Sequence, residues 1–194
     1  PLTRSIAKAN KNTPLSEIEL LIQSKYHEAR LCALLILVEQ FKKANELQRG
    51  VLYDFYLNHI DYINNWDLVD ISCPYIVGNY LLDKDRSRLY ELAESKHLWS
   101  QRIAVVSTIA FIRKGEFLDT FALAGKLLNH EHDLMHKAIG WMLREVGKKD
   151  RAALTDFLER NASLMPRTSL RYAIEHYPET ERKAFLSVKQ IKNK

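Results

Sequence analysis

The sequence has no long hydrophobic run, and it is poor in cysteine, glycine and proline. The longest apolar run is Leu31 to Val38, well short of the roughly 18 residues that predict a membrane-spanning helix. No signal-like segment opens the chain, and Cys32 and Cys73 lie within apolar helical patterns instead of a disulfide framework. These absences argue against a membrane protein and a disulfide-stapled secreted domain. They predict a soluble, cytoplasmic protein.

Familiar catalytic motifs are also absent. The sequence contains no Gly-rich phosphate loop, no Ser and His nucleophile pattern and no CxxC element. His132 and His136 stand one helical turn apart beside Glu131 and Asp133, a spacing that superficially resembles a metal-binding pair. We interpret them as surface histidines at a polar helix start. The sequence therefore predicts neither a metal site nor a cofactor.

Apolar residues make up 46% of the 194 residues, which is enough to bury a continuous core. We predict a single HEAT-like repeat domain over residues 1–194. Pro1 to Asn12 resembles the tail of an earlier helical unit, so we expect the first N-terminal helices to be missing from this sequence. Lys and Arg outnumber Asp and Glu by 29 to 24, and the resulting net charge of +5 favours anionic partners without requiring them.

Apolar residues recur at three- and four-residue spacing through nearly the whole chain, which is the period of an α-helix. Alternation typical of strands is absent. Thr13 with Pro14 is typical of an N-cap followed by a first-turn proline, and Gly78, Gly115 and Gly147 fall at predicted helix ends. The pattern predicts an all-α protein with helices near 14–23, 26–43, 46–59, 64–77, 85–95, 98–113, 116–128, 132–147, 149–161, 167–176 and 178–189.

Three segments of the chain resemble one another. Each is a polar turn followed by a basic residue and an apolar helix that ends in lysines or arginine. They are QSKYHEARLCALLILVEQFKK from Gln23, ESKHLWSQRIAVVSTIAFIRK from Glu94 and NHEHDLMHKAIGWMLREVGKK from Asn129. Self-similarity of this length, with two helices per unit, predicts a solenoid of HEAT-like helical repeats.

The basic residues of these segments define a common register. Arg30, Arg102, Lys137 and Arg171 follow one another at intervals of 72, 35 and 34 residues, and Trp66 lies midway in the first interval. Equivalent positions on successive second helices of a solenoid line one concave surface. We therefore expect a basic concave groove that also carries the residues one helical turn later: Leu34, Asp70, Val106, Trp141 and Glu175.

The groove residues fit a nucleic-acid backbone. A lone tryptophan on an amphipathic helix is usually a core residue, but Trp66 and Trp141 occur at related register positions. Asp70 would cost free energy if it were buried without a partner, so it is solvated, paired with Arg102, or placed to meet a positive ligand. Arginines in a row suit phosphates, because the guanidinium presents a planar fork of donors.

The same residues resemble a known family, the AlkD-like alkylpurine DNA glycosylases, which are HEAT-like repeat proteins. The family's active-site tryptophan and aspartate, four residues apart, match Trp66 and Asp70 in NNWDLVD. Its phosphate-contacting arginine matches Arg102 in LWSQRIA, and its second tryptophan matches Trp141 in KAIGWMLRE. The likeness runs from YHEARLCALLILVEQFKK to RYAIEHYPETERKAFL, nearly the whole chain.

The resemblance implies hydrolysis of the N-glycosidic bond of N3- or N7-alkylated purines in double-stranded DNA. It implies that Asp70, Trp66 and Trp141 are catalytic. We expect a monomer that works without metal, cofactor or membrane. Together with the register, the resemblance predicts a DNA-binding set of cations: Arg102, Lys137, Arg30, Arg171 and Arg144.

Two other functions stay open. A solenoid of this kind can be a non-catalytic DNA-binding or architectural module that recognises damaged or deformed duplex. Asp70 argues against that function, because an acid in a phosphate groove weakens simple binding. A peptide-binding scaffold is the third hypothesis, and the row of four cations suits it less well than the two indoles do.

Overall fold

The computed structural model describes residues 2–191, and within that range it contains helices and no strands. A 3-10 turn at Ile60–Tyr62 and a π-helical turn at Pro74–Gly78 join the α-helices. The prediction of an all-α fold of helical repeats is confirmed. The α-helices of the described range are α1 (Leu2–Ala9), α2 (Leu15–Ile22), α3 (His27–Phe41), α4 (Glu46–Asn58), α5 (Trp66–Asp70), α6 (Ser87–Glu94), α7 (Leu98–Ser107), α8 (Ile109–Ile112), α9 (Leu118–Lys126), α10 (Asp133–Lys149), α11 (Arg151–Asn161), α12 (Arg167–Ala173) and α13 (Glu179–Ser187).

The chain divides into two compact units, Pro1–Arg86 and Ser87–Lys194. The first unit is organised around α3, whose residues 33–38 are all buried. A helix that is apolar on every side must be covered on every side. Accordingly, α1, α2, α4, α5 and the π-helical turn all pack against it.

The second unit is organised around α10. Its buried residues recur at three- and four-residue spacing, and they face α7, α11 and α12. Gly140 permits the close approach of α12, because a Cβ atom at this position would lie 2.6 Å from the carbonyl oxygen of Ser169. The hydroxyl of Ser169 in turn donates to the carbonyl of His136 at 2.9 Å. Burial and backbone contact together hold α10 and α12 side by side.

The register read from the sequence agrees with the helix order inside each unit. Arg102, Lys137 and Arg171 are each the fifth residue of their helix, and their helices α7, α10 and α12 are successive neighbours. In the first unit, α3 with Arg30 contacts α5 with Trp66. The equivalent helices of successive repeats are therefore adjacent in both units.

Two of the residues expected to line the groove are core residues instead. Leu34 and Val106 are both 0% exposed. Each lies one turn after a basic residue, on a helix whose next turn is apolar on all sides. The prediction that the residues one turn after the basic register line an open groove is therefore wrong for Leu34 and Val106.

The helix predicted at 64–77 is interrupted. Pro74 has no N–H to continue an α-helix, and the backbone changes to a π-helical bond from the N–H of Gly78 to the carbonyl of Cys73, at 2.9 Å. The α-helical part shrinks to the five residues of α5. This short helix carries both Trp66 and Asp70.

The glycines and the proline act differently at the predicted helix ends. Gly115, at φ +82°, closes α8 with backbone bonds typical of a left-handed cap. Gly147 is not a helix end, because α10 continues to Lys149 and the missing side chain makes room for Leu154 of α11. The N-cap of α2 is Pro14, one residue later than the predicted Thr13.

Candidate active site and nucleic-acid interface

Trp66 and Asp70 stand at the two ends of α5. Asn65 caps the helix, and its side-chain oxygen accepts from the N–H of Trp66 at 2.8 Å. The four-residue separation places both side chains on one side of the helix. Half of the Trp66 surface is exposed, and Asp70 is half-buried. The pair thus presents an accessible indole beside a carboxylate that is partly withdrawn from water.

Two contacts from α3 brace this short helix. The Nε2 atom of His27 lies 2.8 Å from Oδ2 of Asp67. Arg30 donates from Nη1 to the carbonyl of Ser24 and from Nη2 to Oδ1 of Asn64, at 2.8 and 3.2 Å. The bonds to Asp67 and Asn64 tie the segment around Trp66 to the central helix of its unit. Arg30 therefore already has partners inside the protein.

A buried polar network underlies the end of α5. The hydroxyls of Tyr56 and Ser72 are 3.0 Å apart, and Ser72 also donates to the carbonyl of Leu68. Burial, as the largest cause, raises the pKa of Tyr56 well above its ordinary value. The thiol of Cys73 and the carboxylate of Asp70 act in the same direction, and the hydrogen bond with Ser72 opposes them. Asp70 therefore stands close to an ordered, neutral interior.

Arg102 is buried in the second unit, with only 4% of its surface exposed. Its Nη1 donates to the main-chain carbonyl of Leu134, in the first turn of α10. A charged donor on a helix carbonyl ties α7 to the start of the helix that carries Lys137 and Trp141. The contact of Arg102 with a DNA phosphate stays a prediction.

Trp141 lies in the middle of α10 and is half-buried. Its indole Nε1 donates to Oε1 of Glu145, one helical turn later, at 3.2 Å. Lys148 lies 2.7 Å from the same Glu145 oxygen, and Arg144 lies 3.8 Å from it. The orientation of this indole is therefore set by a carboxylate of its own helix.

The remaining cations that are predicted to bind DNA differ in exposure and in whether an acidic side chain already pairs with them. Lys137 is 2.7 Å from Asp133, and hydrogen bonding to that carboxylate is the main cause that raises the pKa of Lys137. Arg144 donates to Glu175, which holds the pKa of Glu175 below its usual value. Arg171 is exposed and forms no ion pair with any residue between 2 and 191. It is the most available cation of the predicted set.

Three histidines at the start of α10 hold the helix end in place. His132 is the N-cap, and its Nδ1 accepts from the N–H of Leu134 at 3.1 Å. His130 accepts from the N–H of His132 at 2.9 Å, and His136 contacts the carbonyl of His130. Among residues 2–191, no three His, Cys, Asp or Glu side chains are grouped as a metal site would require. His132 and His136 both contact backbone groups at the start of α10.

Sequence reasoning missed the supporting residues. The contact of His27 with Asp67 spans 40 residues and has no local signal. The bond from Trp141 to Glu145 has one, because residues four apart on a helix are neighbours. Asn65 before an apolar helix start is also a readable N-cap.

Comparison with known proteins gives the family and the fold of the chain. The family model of the DNA alkylation repair enzymes matches residues 1–177, so the chain belongs to that family. A solved structure described as a predicted DNA alkylation repair enzyme from Enterococcus faecalis superposes with a TM-score of 0.70. It is 16% identical and covers 92% of this chain and 84% of its own, which shows the shared fold. No curated protein matches the chain.

The length and apolar character of a helix decide whether it can cross a membrane. None of those in residues 2–191 is long and apolar enough to cross a bilayer. Membership of a DNA alkylation repair family together with a net charge of +5 indicates DNA as the partner.

Proposed function

We propose that the protein is a monofunctional DNA glycosylase that hydrolyses the N-glycosidic bond of N3- or N7-alkylated purines in duplex DNA. One observation carries the proposal: α5 presents the half-buried carboxylate of Asp70 one turn from the exposed indole of Trp66, and contacts from α3 brace it. A simple phosphate-binding surface has no use for a carboxylate in this position, since it repels the backbone. The family of the chain supports alkylated DNA as the substrate.

The chemistry needs one carboxylate. An N3- or N7-alkylated purine nucleotide is cationic, so the purine leaves as a neutral base and needs no proton from a general acid. Breaking of the C1′–N bond leaves an oxocarbenium charge on the deoxyribose. A fixed carboxylate aimed at that sugar stabilises the charge where it develops. Water then adds its oxygen to C1′ and loses a proton, and Asp70 orients that water.

The two tryptophans contribute their ring faces. Trp66 is exposed enough to meet a sugar directly, and Trp141 is held by Glu145 on α10. Electron-rich indole faces attract a cationic centre. We assign the ring face of Trp66 to the deoxyribose beside Asp70, and that of Trp141 to the cationic substrate. This assignment requires no deep pocket for the base, so bulky alkyl groups are compatible with it.

The cations hold the DNA backbone, and we rank them by the partners that they already have inside the protein. Arg171 is ready to bind a phosphate. Lys137 must exchange Asp133 for one, which costs little at a surface because exposed ion pairs contribute about 0 to 1 kcal/mol. Arg144 must leave Glu175, and its own side chain is only 20% exposed. Arg30 and Arg102 already serve the fold, so their contact with phosphate requires a rearrangement. We propose a monomeric, cytoplasmic protein that works without metal or cofactor.

The test is release of free base. Wild-type protein is incubated with duplex DNA that carries a single 7-methylguanine, and free base and abasic sites are measured against protein-free DNA under the same conditions. The proposal expects stoichiometric base and abasic sites, with the strand left intact until alkali is added. Salt-sensitive binding without base release indicates the non-catalytic DNA-binding module instead.

A further inference from the structure

The strongest unassigned contact of a tryptophan predicted to be catalytic is the bond from Trp141 to Glu145. The indole N–H and the carboxylate lie one turn apart on α10, and the Glu145 side chain is only 21% exposed. A hydrogen bond to an anion is stronger than one to a neutral acceptor, and it polarises the group that donates. The π face of this indole thereby gains negative charge.

We infer that Glu145 is a positioning residue that makes Trp141 selective for a cationic lesion. The inference rests on the proposed function, because it assigns the Trp141 face to the substrate. Attraction between a cation and an aromatic face grows with the negative charge of that face. Glu145 touches neither base nor sugar. It sets the orientation and the electron density of the ring that does.

Lys148 acts on the same hydrogen bond between Trp141 and Glu145. Its Nζ lies 2.7 Å from the oxygen that accepts from Trp141, so it withdraws part of the negative charge that Glu145 supplies to the indole. Removal of Glu145 charge and removal of Lys148 charge therefore act in opposite directions on the preference for a cation. A merely structural role predicts no such opposition.

The first unit offers a matched control pair. Glu39 and Lys42 have the same three-residue spacing, lie 2.5 Å apart, and the Glu39 side chain is 27% exposed. Among the described residues, no hydrogen bond joins Glu39 to a tryptophan, and its ion-pair partner is Lys42. Glu39→Gln and Lys42→Ala therefore change the total charge equally without acting on an indole.

The experiment measures two dissociation constants for each variant. One duplex carries a cationic pyrrolidine abasic analogue and the other carries the neutral tetrahydrofuran analogue, and the ratio of the two constants reports cation preference. Glu145→Gln keeps an acceptor for the indole N–H but loses the charge, so we expect the preference to fall about threefold. Lys148→Ala should raise it. Glu39→Gln and Lys42→Ala should leave it unchanged.

Each of three results overturns the inference. The first is a wild-type protein that shows no preference for the cationic analogue. The second is a ratio of dissociation constants that Glu145→Gln leaves unchanged, and the third is a change of that ratio in Glu39→Gln as large as in Glu145→Gln. Lys148→Ala keeps the test decisive if Glu145→Gln folds poorly, because an unchanged or lower ratio in Lys148→Ala also overturns it. Base release from 7-methylguanine DNA is assayed in parallel. If no base is released but the ratios of dissociation constants change as predicted, only the glycosylase proposal is wrong. If base is released but the ratios do not change, only the role of Glu145 is wrong.

Discussion

His27 and Asp67 connect the central helix of the first unit to the helix that carries Trp66 and Asp70, with 2.8 Å between Nε2 and Oδ2. Both side chains are about 30% exposed, so the contact is neither fully solvated nor deeply buried. A five-residue helix has little stability of its own, because helix formation requires a costly nucleus. The orientation of α5 therefore depends on such contacts.

His27→Ala should slow excision of 7-methylguanine more than it destabilises the fold. Loss of one hydrogen bond costs about 0.5 to 1.5 kcal/mol of unfolding free energy, whereas misplacement of a catalytic group by a fraction of an ångström can slow the reaction about tenfold. Single-turnover rates and urea denaturation measure the two effects. His27→Gln keeps a donor for Asp67 and should recover much of the rate. Equal excision rates in wild type and both variants would show that the contact between His27 and Asp67 does not position the catalytic residues.

Gly140→Ala should destabilise the second unit. An added Cβ would lie 2.5 Å from Cβ of Tyr172 and 2.6 Å from the carbonyl oxygen of Ser169, so α10 and α12 must move apart. Overpacking of this kind costs about 1 to 3 kcal/mol. Gly125→Ala is the matched control, since nothing lies within 4 Å of its added Cβ and alanine favours the helix. Chemical denaturation that shows the two variants equally stable would contradict the close approach of these helices.

His130 should make the protein less stable in mild acid. Burial is the largest cause that lowers its pKa, and His132 and His136 add to it. The folded state then binds a proton less readily than the unfolded state, so this contribution is present above about pH 6.5 and is lost as pH falls towards the lowered value. Urea midpoints of His130→Asn should decline less below pH 6.5 than those of wild type. His176→Asn, at an exposed position, should follow the wild-type curve; a parallel decline in His130→Asn would refute the assignment.

Arg171 should contribute to binding of the DNA backbone. Arg171→Ala removes an exposed cation, so it should weaken binding to any duplex and reduce the slope of log affinity against log salt by about 0.9. Arg102→Ala serves as the comparison. Because Arg102 is buried on the carbonyl of Leu134, its loss should lower unfolding free energy by about 2 kcal/mol in addition to any effect on the slope. Fluorescence anisotropy at several salt concentrations gives the slopes, and an unchanged slope in Arg171→Ala would exclude this arginine from the interface.

The repeat register could be predicted from sequence because it follows from helical periodicity. Arg102, Lys137 and Arg171 occupy the same position in three neighbouring helices, as the alignment of their segments predicts. The exposure of each position could not be predicted in this way. Arg102 is buried and Arg171 is exposed at the same register, because burial depends on neighbouring elements that periodicity does not identify.

The principal residues of the candidate site were chosen from sequence and their catalytic roles stay predictions, whereas the residues that support them were missed. Trp66 and Asp70 followed from a short motif, but the shortening of their helix depends on Pro74 and a π-helical turn. The contact of His27 with Asp67 joins residues that lie far apart in the sequence. Such pairs carry no pattern in a single sequence, and only the packing of α3 against α5 brings them together.

Substitution of Asp70 by Asn tests the central claim most directly. Asn keeps the shape of the side chain and loses the charge that opposes the oxocarbenium ion, so excision of 7-methylguanine should slow by about 10² to 10³. Affinity for undamaged duplex should hold or rise, because a negative charge has left a surface that binds phosphates. Asp54→Asn, at an exposed position in the same unit, removes an equal charge and should excise at the wild-type rate. Release of base by Asp70→Asn as fast as by wild type, in single-turnover assays run side by side, would show that Asp70 is not the catalytic carboxylate.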